Sequence, residues 1–161
     1  VAAAAIAAAP AVATEPKTLD QGASVGTFDG SGTGTVILQG QLTAFGRVQG
    51  GLIVRDAIGG ATVKLNGVVQ RPRIIGTGVN RVRVYRFARV NKAFYVKGRG
   101  IRITLTSAPT NTLSISAFGR GTVNRLSGQG TFSLNAGDRQ EWSAATPPLK
   151  IKPAPKQTLR P

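Results

Sequence analysis

The chain contains no cysteine and no histidine, and only six acidic residues stand against 21 lysines and arginines in its 161 positions. The first two absences exclude disulfides, thiolate nucleophiles, imidazole bases and every metal site built on sulfur or imidazole. Scarcity of acid removes more. Calcium needs several oxygen ligands close together, and DGSG at 29–32 is the one weak hint of such a group. General-base catalysis would fall to a carboxylate or a desolvated lysine. Of the acids, only Asp56, Asp138 and Glu141 lie in or beside the predicted core. Asp56, in IVRDAIGG, reads as a turn residue. Asp138 and Glu141, in GDRQEWS, read as surface partners of Arg125 and Arg139. The glycines of DGSGTGT lack a following helix and a closing GK[ST], so they read as a turn and not a phosphate loop. No enzyme, no cofactor and no metal is expected.

Helical periodicity is also missing. No window of twelve residues keeps an apolar face at spacings of three and four, and no apolar run is long enough to span a bilayer. The longest apolar stretch, VAAAAIAAAPAVA at 1–13, resembles the core and small-residue cleavage site of a secretory signal. On that reading the protein works outside the cytoplasm, secreted or in the cell envelope. Residues 14–31 read as a flexible arm, with a first strand near Val25 to Phe28. Residues 145–161 are rich in proline and read as an extended basic tail carrying Lys150, Lys152, Lys156 and Arg160.

Between those ends, at 32–144, the period is two. Val36 and Leu38, Val63 and Leu65, Ile101, Ile103 and Leu105, Leu113, Ile115 and Ala117, and Phe132 and Leu134 each alternate with polar residues. Turn signals punctuate them at Gly50-Gly51, Gly59-Gly60, Asn66-Gly67, Gly98, Ala108-Pro109, Gly128 to Gly130 and Ala136-Gly137. Asn66-Gly67 is the sharpest, because a type I′ hairpin needs positive φ at both central residues. Many short strands with glycine-rich turns predict an all-β fold, an antiparallel β-sandwich or a barrel-like relative of one, with disordered or extended termini. Trp142 is expected to seal its core. The sequence also echoes itself. AFGR recurs at 44–47 and 117–120, and TVKLNG at 62–67 returns as TFSLNA at 131–136. Phe45 and Phe118 read as equivalent core or corner positions.

The remaining feature is charge, +15 overall. No acid occurs between Asp56 and Asp138, while Arg71, Arg73, Arg81, Arg83, Arg86, Arg89, Lys92, Lys97, Arg99 and Arg102 crowd the middle of that interval. In RVRVYRFARV, 81–90, strict alternation makes Val82, Val84, Ala88 and Val90 a core face with Arg86 as a misfit. It places Arg81, Arg83, Tyr85, Phe87 and Arg89 outward. The expected anion-binding set is Arg71, Arg73, Arg81, Arg83, Arg89, Lys92, Lys97, Arg99 and Arg102, with Tyr85, Phe87 and Tyr95 as stacking rings. The partner would be an anionic polymer: envelope polysaccharide, nucleic acid or lipid headgroups. A solvated sheet face and a homo-oligomer joined by strand edges and terminal arms are the competing readings.

Overall fold

The computed structural model describes residues 26–108, 110–142 and 148–152. The signal-like segment 1–13 and most of the expected arm lie outside the described residues, as does most of the basic tail. What is described is almost wholly antiparallel strand in one open sheet. Three long strands carry it: β1 (Gly26–Asp56), β5 (Val82–Ser107) and β6 (Leu113–Leu134). Short strands border them: β2 (Thr62–Leu65), β3 (Val68–Val69), β4 (Arg73–Ile75), β7 (Gln140–Glu141) and β8 (Leu149–Ile151). The hydrogen-bonded order is β3-β2-β5-β1-β6-β7, with β4 on β5 and β8 on β6.

The expected short strands are segments of longer ones. Gly50-Gly51, Gly98 and Gly128 to Gly130 do not end strands; β1, β5 and β6 run through them and bend. The reason is visible at Gly34 and Gly128, which face each other across the β1–β6 ladder with φ of 121° and 105°. A side chain on Gly34 would overlap the Ser127 carbonyl oxygen, and one on Gly128 the Thr33 carbonyl oxygen. Facing glycines let both strands bend without breaking the ladder.

These bends let one stretch of strand pair along both edges. Residues 51–56 of β1 pair with 101–106 of β5 on one edge, while 52–56 pair with 83–87 on the other. Residues 28–32 do the same with 113–117 and 130–134 of β6. The ladder thus folds back over its own buried side chains. Val36, Leu38, Leu52, Val54, Ile101, Ile103, Leu105, Leu113, Ile115 and Phe132 fill the core, all at 1 % exposure or less. Phe28 stacks on Phe132 at 6.0 Å. Trp142 is fully buried and donates its indole N–H to the Ser127 carbonyl at 3.2 Å.

The turn at Asn66-Gly67 forms as its chemistry requires, with φ of 48° and 81° and Leu65 opposite Val68. The echo has a structural counterpart. Ala44 and Ala117 are direct partners in the β1–β6 ladder, so the two AFGR copies meet at their alanines and run apart in opposite directions. In the second pair, the Asn66 backbone donates to Ala93 and its Oδ1 accepts from the Ala93 amide. Asn135 does the same to Thr27, and it too has positive φ, 53°.

At both ends the strand content exceeds expectation. β1 starts at Gly26, matching the first strand expected near Val25 to Phe28, but runs on through the rest of the segment read as an arm. Leu149–Ile151 is a strand despite the flanking prolines, because Ile151 is buried and Asn135 takes the Lys150 carbonyl and the Lys152 amide. Pro148 lies outside the three paired residues, where no ladder hydrogen bond is asked of it.

Candidate anion-binding surface and strand edges

The face assigned from alternation is inverted over 83–87, while Val90 packs against the core as expected. Tyr85 is buried and Phe87 packs against the core, opposite Val54 and Leu52. Val84 and Arg86 point to the other side, opposite Arg55 and Ile53. Two aromatic rings bury far more apolar area than two valines, and a one-residue choice of side carries every neighbour with it. Tyr85 therefore offers no stacking surface, and Phe87 keeps only the part of its ring not packed on the core.

Arg83 goes inward with them, half-buried, beside fully buried Asp56. Asp56 closes the loop after β1: its carboxylate accepts from the Gly59 amide at 2.8 Å and the Ala61 amide at 2.9 Å. The Tyr85 hydroxyl donates to the Ala61 carbonyl at 3.3 Å. Burial, and secondly the Asp56 charge, raise the Tyr85 phenol above its ordinary value, while Arg83 pulls it down. The folded protein thus keeps a proton that the unfolded chain releases above about pH 10. Stability contributed by this group is complete below that pH and is lost as pH rises through the higher folded value. Thermal unfolding followed from neutral to strongly alkaline pH should decline more steeply for the native chain than for Tyr85→Phe. Parallel curves would refute this.

Inverting the strand builds a different basic surface. Gln39, Arg102, Arg55, Val84 and Arg73 stand side by side across adjacent strand segments, partner to partner. In the next row lie Ile37, Thr104, Ile53 and Arg86. The loop before β4 walls one side with Arg71, leaving a trough of about 430 Å³ whose lining includes Ile53, Arg55, Arg73, Val84, Arg86 and Phe87. Val84 is only 6 % exposed yet stands apart from the core cluster; it is the trough floor, between the stems of Arg55 and Arg73.

The expected set is dispersed. Arg71, Arg73 and Arg102 belong to this surface. Arg81 is exposed beside the 3₁₀ turn Gly78–Asn80. Arg89 lines a separate hollow with Gln49 and Asn91, and Lys92 is exposed one residue further along β5. Lys97 and Arg99 line a third hollow, of about 750 Å³, with Ile58 and Phe118. Tyr95 lies on that side, half-buried, with the Lys64 ammonium 5.6 Å from its ring centre. Phe45 and Phe118 are not core: they are 44 % and 41 % exposed and meet edge to face at 6.5 Å. Ser116 and Thr43 are their ladder partners, so both rings leave the sheet on the polar side.

Arg55 and Arg86 were missed by sequence reasoning. Alternation in LIVRD, with Leu52 and Val54 inward, is the signal that would have found Arg55. Arg139 pairs at 3.9 Å with Asp29, not with the expected Asp138 or Glu141. Among the described residues no cluster of three or more acids stands close enough to hold a metal ion, and no helix is long and apolar enough to cross a membrane.

The free edges form the second surface. Among the described residues β4 pairs only with β5, and β3 only with β2. Apart from Arg73, which follows Pro72 and opens β4, their exposed residues are apolar: Val68 and Val69 are over 60 % exposed, Ile74 and Ile75 about half, and Val79 beyond β4 99 %. In comparisons with known proteins the chain matches no family model, no curated protein and no solved structure.

Proposed function

We propose that this domain is a non-catalytic structural subunit, working secreted or in the cell envelope, that joins copies of itself through its strand edges. The double pairing of β1 supports reading the folded-over sheet as a sandwich-like body with open borders at β3 and β4. The observation that carries the proposal is the composition of those borders. Edge strands are ordinarily blunted by charge, proline or cover; Pro72 and Arg73 do this only at the start of β4, and Val68, Val69, Ile74 and Ile75 stand exposed beside backbone that has no further strand partner among the described residues. Net charge of +15 opposes such contacts, so they strengthen when the charge is screened or neutralised.

A specific observation favours a second reading, the binding of an anionic polymer. Within the described residues no side-chain hydrogen bond or ion pair engages Arg55, Arg71, Arg73, Arg86 or Arg102. The two readings meet at β4, where a polyanion against the arginines would relieve the repulsion that keeps edges apart. Edge assembly is tested with the double variant Val68→Lys, Ile74→Lys. At high salt the native chain should sediment as a larger species and the variant as a monomer. Equal sedimentation of the two would remove the edges from the proposal.

A further inference from the structure

Alternation along β1, β5 and β4 fixes which arginines share a side, and register fixes how far apart they stand. Arg102 and Arg55 are direct partners, Val84 follows, and Arg73 comes next. At about 4.8 Å between strands this row spans about 14 Å from Arg102 to Arg73. Arg86 sits two residues along β5 from Val84, about 7 Å to one side. The nearest acid in sequence, Asp56, faces inward and is fully buried, its two oxygens taken by backbone amides. Among the described residues none of these guanidinium forks forms an ion pair.

From this geometry we infer that the trough is a binding site for a linear acidic polysaccharide, one bearing sulfate, phosphate or carboxylate groups at intervals of one or two strand spacings. The inference rests on the anion-binding reading and names its site. Three features select this ligand. Guanidinium forks bind such oxyanions through paired hydrogen bonds. The floor offers Val84 and the wall Ile53, aliphatic surfaces suited to the faces of sugar rings. Aromatic surface is scant: Phe87 lines the trough but packs against the core, and Tyr85 is buried, so a single-stranded nucleic acid would find no row of rings on which successive bases could stack. The walls make a trough, which accepts a chain more readily than a planar membrane. The polymer would lie across the strands, along the arginine row.

The test uses the full chain at low concentration, with heparin as the sulfated polysaccharide, a single-stranded DNA oligonucleotide and anionic phospholipid vesicles as probes. Two variants are compared with the native chain: Arg55→Gln, Arg73→Gln, Arg86→Gln, Arg102→Gln, and a control, Arg47→Gln, Lys64→Gln, Lys97→Gln, Arg99→Gln, which removes equal charge elsewhere. Because all eight side chains project from the surface or its half-exposed rows, a matched circular dichroism spectrum is expected throughout. Heparin affinity should fall at least ~100-fold in the trough variant, and the slope of log affinity against log salt should drop by about three units, at ~0.7 per lost contact. The control should lose less than a tenth as much. Equal losses in both variants would overturn the trough as the site while leaving anion binding intact. If the native chain ignores heparin altogether, the anion-binding reading fails with it. Preference for the oligonucleotide or the vesicles over heparin at matched salt would overturn the choice of ligand. Arg55→Lys with Arg102→Lys keeps charge but not the fork, and should recover less than half of the lost affinity; full recovery would contradict paired hydrogen bonding.

Discussion

Gly34→Val is expected to destabilise the domain by about 3–5 kcal/mol, a large part of the 5–15 kcal/mol that holds a typical domain folded. Two costs combine. At φ of 121° a β-branched residue lies in a region that costs about 1–3 kcal/mol. In addition its Cβ would overlap the Ser127 carbonyl oxygen, which is ladder backbone and cannot swing aside as a side chain does. Relief would require β1 and β6 to separate at the bend, giving up pairs such as Thr35 with Ser127. Gly67→Ala is the comparison, since Gly67 also has positive φ, 81°, but faces open space. It should cost only about 1 kcal/mol. Urea unfolding of both variants checks the difference, and a Gly34→Val protein within error of Gly67→Ala would show that the bend is not held by facing glycines.

Asp56→Ala should cost a similar amount, about 3–5 kcal/mol, by another route. The carboxylate is fully buried and accepts two backbone amides, and hydrogen bonds to a charged group contribute about 1.5–3 kcal/mol each. Alanine would leave the Gly59 and Ala61 amides without partners and the loop 57–61 without its clasp. Asp56→Asn keeps one acceptor oxygen and should lose about half as much. Hydrogen exchange at Gly59 and Ala61 would report the same order, fastest in alanine. Equal stability of the alanine and asparagine variants would show that the amides find other partners.

The sequence carried the inward residues of most strands because their alternation pits β-branched or aliphatic residues against threonine, serine or arginine, and only one side can be dry. Val36 and Leu38, Ile101 to Leu105, and Leu113 to Ala117 are all of this kind. In 81–90 both sides mix apolar residues with arginine, so alternation defines two faces without ranking them. Tyr85 and Phe87 decide it by area. Glycine was legible as a break in pattern but not as a bend within a continuing strand, since that depends on Gly128 standing opposite Gly34, a pairing across 94 positions. Consequently the pairing of 51–56 along both edges, which brings Arg55 between Arg102 and Val84, could not be read from local pattern. β8 was hidden by proline density; its hydrogen bonds to Asn135 come from a turn that sequence reasoning treated separately.

Sedimentation velocity of the purified full chain, without any polyanion, at low and then high salt tests the structural-subunit account most directly. Screening should let the apolar borders of β3 and β4 meet, so the account predicts a monomer at low salt and larger species at high salt. A monomer at every salt concentration, or an oligomer that dissolves as salt rises, would contradict it.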